Sequence, residues 1–166
     1  MPELNATAAA LLGLLHDGPM TGGQLVAAAN ERFGGFFGVT RSQVYRELPA
    51  LAEAGLVRLG RQGPRSSQQY ALTAAGKRAF RTWLASAVTP DQLRSPLILR
   101  LVHAGSLTPR QRADLVTRAR QAYTARLDTA RAAARTTTEP YAKAAADFAV
   151  AHTRAVLKLL DAIPGD

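Results

Sequence analysis

The sequence predicts a mainly α chain with one small β-hairpin. Apolar residues recur at three- and four-residue spacing in seven segments, the mark of helices with one buried face. Strand-like runs occur only at Leu56-Val57-Arg58-Leu59 and Gln69-Tyr70-Ala71-Leu72. The chain has 166 residues, 47% hydrophobic and 20% charged, so it can bury a sizeable core, and wholesale disorder is excluded.

Each element has a local cause. Leu4, Ala8, Leu11, Leu12 and Leu15 place an amphipathic helix over residues 4–16, which Asp17-Gly18-Pro19 ends. Thr21 followed three residues later by Gln24 is a capping box, in which each side chain satisfies a free backbone N–H at a helix start. Leu25, Val26, Ala29 and Phe33 continue that second helix, and Gly34-Gly35 stops it. Thr40 and Gln43 form a second capping box. The third helix then carries Val44, Leu48 and Leu51 on one face and ends at Gly55. Pro49 removes one of its backbone hydrogen bonds and is expected to bend it. The two strand-like runs flank Gly60-Arg61-Gln62-Gly63-Pro64-Arg65-Ser66-Ser67, a turn-rich segment that reads as a long, basic hairpin tip. Thr73 caps a fourth helix with Ala79, Phe80, Trp83 and Leu84.

Beyond a linker at residues 87–95 the pattern is purely helical. Pro96 to Ala104 is short and apolar. Thr108-Pro109-Arg110-Gln111 combines a capping box with proline at the first helical position, where its missing N–H costs nothing. The long helix that follows runs to about Arg135, with Leu115, Ala119, Ala122 and Leu127 on one face. Thr136 to Pro140 breaks it, and a last helix spans Tyr141 to Ile163. Tyr141, Phe148, Ala155 and Ala162 recur there every seven residues, with Ala145, His152 and Leu159 beside them, a seam suited to helix-on-helix packing.

Three helices followed by a β-hairpin within the first 72 residues is the order of a winged helix-turn-helix. The third helix of such a domain enters the DNA major groove, and the hairpin reaches a neighbouring backbone. The residues suit that role. Thr40, Arg41, Ser42, Gln43, Tyr45 and Arg46 occupy the start of the third helix. Arg pairs bidentately with guanine and Gln with adenine, while Ser serves either base edges or phosphate. Arg61 and Arg65 at the hairpin tip can neutralise phosphates. Tyr45 either packs on the second helix or touches phosphate. The expected organisation is a DNA-binding domain over residues 1–86 and a helical region over residues 87–166.

The charge is placed to match. The chain holds 21 Lys and Arg against 12 Asp and Glu, a net charge of +9, which favours a polyanionic partner. Residues 1–29 contain Glu3 and Asp17 and no basic residue, whereas residues 30–81 contain nine basic residues and three Glu.

The sequence resembles the PadR-like transcriptional regulators, those related to the phenolic-acid decarboxylase repressor. The matching stretches are Leu11-Leu12-Gly13-Leu14-Leu15, Gly18-Pro19-Met20-Thr21-Gly22 and Phe33-Gly34-Gly35-Phe36, then Ser42-Gln43-Val44-Tyr45-Arg46-Glu47-Leu48 and Leu51 to Val57. Gln69 to Lys77 closes the wing as in that family, and Leu93 to Leu101 resembles its first element after the wing. The resemblance implies a cytoplasmic homodimer joined by its C-terminal helices, so that residues 87–166 are the expected dimerisation region, with Tyr141, Phe148, His152, Ala155 and Leu159 as its candidate dimer contacts. It also implies a repressor that occludes a two-fold operator and, in many members, answers to a small molecule. Many members carry Pro directly after the tyrosine of the recognition helix; here that position is Arg46, and Pro49 follows three residues later.

Other classes fit less well. A MarR-type regulator builds its dimer from helices at both ends, whereas here all the extra helices follow the hairpin. An interaction module without DNA binding commonly loses the basic surface, which this chain keeps at Arg41, Arg46, Arg61 and Arg65. His16, His103 and His152 lie far apart, the chain has no cysteine, and no hydrolase elbow, phosphate-binding loop or dinucleotide fingerprint appears. Neither a catalytic site, a metal nor a cofactor is expected. The longest apolar run, Ala8 to Leu15, is far short of the roughly 20 residues of a membrane span. Trp83 is the candidate for lining an effector cavity, against the plainer reading of a packing anchor. The group Phe33, Phe36 and Phe37 reads as a turn packed on the core, and the arginines of the long helix as a solvated face.

Overall fold

The structure is a computed structural model that describes residues 4–62, 67–88 and 90–164. The chain divides into two compact units, Met1–Thr89 and Pro90–Asp166.

The first unit is built around α1 (Ala6–Leu14), which continues as one 3₁₀ turn over Leu15–Asp17. Sequence spacing gives this helix a single apolar face, but the structure buries it on nearly all sides: Ala9 and Leu14 are buried together with Ala8, Leu11, Leu12 and Leu15. Three helices cover it, namely α2 (Gly22–Phe33), α3 (Arg41–Glu53) and α4 (Ala74–Leu84). Leu25 and Ala29 from α2, Val44, Leu48 and Leu51 from α3, and Ala79 from α4 complete the core. Between α2 and α3, Val39 is buried and Phe33 and Phe37 pack on the same core, while Phe36 is exposed.

The helix starts are those the residue types dictate. Thr21 and Thr40 each accept a hydrogen bond from the backbone N–H three residues on, and the side chains of Gln24 and Gln43 accept one from the N–H of the capping threonine, so both capping boxes form. The helix α3 runs without interruption through Pro49, whose ring is exposed. It ends at Gly55, where φ is +68°, a left-handed conformation that a side chain would oppose.

The hairpin consists of β2 (Val57–Gln62) and β3 (Gln68–Leu72), paired antiparallel with Val57 opposite Leu72 and Leu59 opposite Tyr70. Its register breaks between Leu59 and Gln62, and Gln68 Nε2 donates to the Gly60 carbonyl at 2.9 Å inside the break. A third strand, β1 (Met20–Thr21), pairs with β3 on its other side, giving the order β1-β3-β2. Thr73 caps α4 and donates its hydroxyl to the carbonyls of Gly55 and Leu56, joining the root of the hairpin to the end of α3.

The second unit holds α5 (Pro96–Val102), a 3₁₀ turn over Ala104–Ser106, α6 (Pro109–Thr136) and α7 (Pro140–Asp161). The last two form an antiparallel pair. Leu127, Ala130 and Ala134 of α6 pack against Ala149 and Val150 of α7, with Ala146 and Leu157 alongside. This differs from the expected face of α6: Ala122 is exposed, and the buried stripe continues instead through Ala130 and Ala134. Thr153 is fully buried in α7, its hydroxyl satisfied by the Ala149 carbonyl at 2.8 Å.

Leu12 has no solvent exposure and sits in the middle of the first core. Leu12→Ala is expected to destabilise the first unit by about 2–5 kcal/mol through lost burial and a residual cavity. Urea unfolding monitored by circular dichroism checks this as a lowered midpoint with unchanged slope.

Candidate nucleic-acid interface

Burying Val44, Leu48 and Leu51 decides which way α3 faces. These residues share one side of the helix, so Arg41, Ser42, Tyr45 and Arg46 are left on the other, where all four are exposed. The first turn of α3 contains no acidic side chain, so its free N–H groups keep their attraction for an anion.

The cap residues are already engaged. The Thr40 N–H donates to Gln43 Oε1 at 2.8 Å and the Gln43 N–H to Thr40 Oγ1 at 3.3 Å. Thr40 Oγ1 also lies 3.1 Å from the hydroxyl of Ser42. Gln43 therefore commits its carbonyl oxygen to the helix start and keeps its amide Nε2 for another acceptor.

Of the two roles that sequence left open for Tyr45, the structure places it in the first, packed on the second helix. Its ring packs on the start of α2, where an added Cβ on Gly22 would lie 3.0 Å from Cζ. Tyr45 is nevertheless 48% exposed as a residue, and the guanidinium of Arg41 lies over its ring with Cζ 5.2 Å from the centroid, a cation–π contact. Gly22, which sequence reasoning did not connect with Tyr45, is thus the residue whose missing side chain makes room for that ring.

Arg46 has a side chain that is 71% exposed and lies 3.2 Å, Nη2 to Oε1, from the carboxylate of Glu47. Glu47 is a buried acid, and its other oxygen accepts from Asn5 Nδ2 at 3.1 Å. Asn5 in turn caps α1, accepting the Ala8 N–H at 2.8 Å. Sequence spacing marked neither Asn5 nor Glu47. In the hairpin, Arg61 lies in β2, and Arg65 falls outside the described residues.

The remaining candidates lie in two places. Trp83 stacks on Phe80 at 6.4 Å between centroids, and Phe80 meets His16 at 5.1 Å, which makes Trp83 the end of an aromatic column within the first unit. In the second unit, Tyr141, Phe148, Ala155 and Leu159 are exposed along one side of α7, the side turned away from α6. His152 stacks on Phe148 with centroids 6.0 Å apart. A cleft of about 190 Å³ borders this stripe, lined by Leu93, Ser95, Ile98, His152, Val156 and Leu159 among others. Among the described residues no group of His, Asp or Glu could hold a metal ion, and no helix is long and apolar enough to cross a membrane.

Residues 11–82 match the model of the transcriptional regulator PadR-like family. Most of the first unit is thus similar to a PadR-like domain. The chain is also 29% identical, over 110 residues, to the negative transcriptional regulator PadR of Bacillus subtilis (strain 168). That stretch covers 64% of this chain and 60% of the relative's length. Two solved structures share its fold. Bacillus subtilis PadR in complex with operator DNA superposes with a TM-score of 0.73 at 23% identity, covering 95% of this chain and 96% of that one. Bacillus subtilis PadR in complex with p-coumaric acid does so with a TM-score of 0.56 at 21% identity, covering 96% and 99%. In this chain the tyrosine of the third helix is followed by Arg46 and the buried Glu47.

The capping box of α3 gives a direct test. Thr40→Ala removes the side-chain acceptor for the Gln43 N–H and is expected to cost about 0.5–2 kcal/mol of stability. Thermal unfolding of the variant checks it, and Thr40→Ser, which keeps the acceptor, is expected to recover most of the loss.

Proposed function

We propose that this chain is a dimeric, DNA-binding transcriptional repressor of the PadR type, acting in the cytoplasm by binding and not by catalysis. The observation that carries this is the outward face of α3, where a capped, acid-free helix start presents Arg41, Tyr45 and Arg46 from a PadR-like domain. In this reading α3 enters the major groove. Arg41 and Arg46 read base edges, Thr40, Ser42, Gln43 and Tyr45 contact edges or phosphates, and Arg61 and Arg65 neutralise the flanking backbone.

A second copy of the chain would cover the exposed stripe of α7, with Tyr141, Phe148, His152, Ala155 and Leu159 at the contact. The region from residue 87 onward is then the dimerisation part, and residues 1–86 are the DNA-binding part. Two-fold symmetry calls for a pseudo-palindromic operator whose half-sites lie about 10 base pairs apart. Repression follows from occlusion of a promoter. The solved complex of Bacillus subtilis PadR with p-coumaric acid supports a small-molecule effector here too, one that shifts the spacing of the two wings.

The test is a mobility-shift titration of the purified protein on its own upstream DNA, with excess nonspecific competitor, at two salt concentrations. A discrete shift that survives competitor and weakens with salt is expected, because phosphate contacts release counterions. Failure to select any specific sequence from genomic DNA would overturn the reading in favour of an interaction module. Arg41→Ala is expected to lose about 1–3 kcal/mol of operator affinity. Leu159→Asp is expected to shift the protein from dimer towards monomer in sedimentation, because it would bury an unpaired charge at the contact.

A further inference from the structure

Glu47 occupies an unusual place for a carboxylate. It is 9% exposed, yet it lies directly beside the face of α3 that the proposed function turns towards a polyanion. An acid there repels phosphate unless a cation covers it. Arg46 is that cation, and the pairing is not one that helix geometry supplies for nothing. Adjacent residues on a helix point about 100° apart and do not face each other. Arg46 must therefore fold its side chain back along α3 to bring Nη2 within 3.2 Å of Glu47 Oε1.

The two ends of this pair differ in freedom. Glu47 is held from below: Oε2 accepts from Asn5, and the Asn5 Oδ1 accepts the Ala8 N–H at the start of α1. A line of hydrogen bonds thus runs from the most buried helix of the unit to the guanidinium on its surface. Exposed ion pairs usually leave a long side chain free to wander. Here one partner is fixed in the protein, so the position of the other is set by it. The guanidinium is planar and has five donors, so engaging one Nη leaves an edge with two donors for a base.

We infer that Glu47 is a positioning residue. Through its carboxylate it aims the guanidinium of Arg46, and so sets the base preference at one position of each operator half-site. This rests on the DNA-binding reading above. It accounts for a guanidinium at the residue after the tyrosine of α3 with a buried acid beside it.

The experiment is selection of binding sites from randomised duplex DNA with the full-length protein, followed by affinity measurements on the selected duplex and on single-position variants of it. Wild type is expected to show a preference at one symmetric pair of positions that Arg46→Ala abolishes. Glu47→Gln, which keeps the volume and an acceptor for Asn5, is expected to weaken that same preference about five- to hundredfold while leaving the others intact. In the double variant the two losses are expected not to add. Arg46→Ala should cost less affinity in the Glu47→Gln background, because no uncovered carboxylate then faces the DNA. Arg46→Lys, which retains the cation without the planar fork, is expected to lose the preference yet keep nonspecific affinity. An unchanged preference in Glu47→Gln, or a loss of affinity uniform over all sequences, would overturn the inference and leave Glu47 a purely structural residue. Selection of no sequence by wild type would overturn the DNA-binding reading itself, and this inference with it.

Discussion

The first unit depends on covering one short helix. At nine residues, α1 is too short to be stable alone, so its helicity comes from the neighbours that bury it. Four leucines within five positions, Leu11, Leu12, Leu14 and Leu15, point in too many directions for one neighbour to cover. Hence α2, α3 and α4 must all close around α1, while the short sheet packs on the 3₁₀ turn that follows it and on α2 and α3. The orientation of α3 is a consequence of that closure. Once Val44, Leu48 and Leu51 are turned towards α1, no freedom is left in which residues face outward. The candidate interface is the complement of the core face, and the same packing that stabilises the unit decides its chemistry.

Much of this was legible because helix starts are local chemistry. Thr21, Thr40, Thr73 and Thr108 can be identified from residues within one turn, and each caps the expected helix. The caps at Asn5, Ser95 and Glu139 were not read from the sequence, where none of them forms a capping box with a Gln at the third position. The strand β1 was illegible because two residues have no periodicity, and only pairing with Tyr70 and Gln69 makes them a strand. The face of α6 was misjudged for a different reason. Alanine suits either side of a helix, so an alanine-rich stretch does not announce which side is buried.

The candidate site shows the same division. Arg41, Tyr45 and Arg46 stand out as residue types at the right end of the right helix. The arrangements around them are nonlocal. Gly22 opposes Tyr45 from another helix, and Glu47 acquires its burial and its partner from Asn5, 42 positions earlier in the chain. In isolation Glu47 is one more polar residue on a helix, and nothing in its immediate sequence distinguishes it from the exposed Glu53.

The helix α7 has two apolar sides, and only one of them is spent within its own chain. The side bearing Ala149, Val150, Thr153 and Leu160 meets α6 or is otherwise buried, while the side bearing Tyr141, Phe148 and Leu159 is left to solvent. If a second copy of the chain covers that stripe, the active species forms by mass action, and the amount of protein in the cell enters the response itself. Below the dissociation constant of the pair, dimer concentration rises with the square of the chain concentration. Halving the supply of chain would then cut operator occupancy about fourfold in the unsaturated regime, so the abundance of the regulator would set a threshold independently of any ligand.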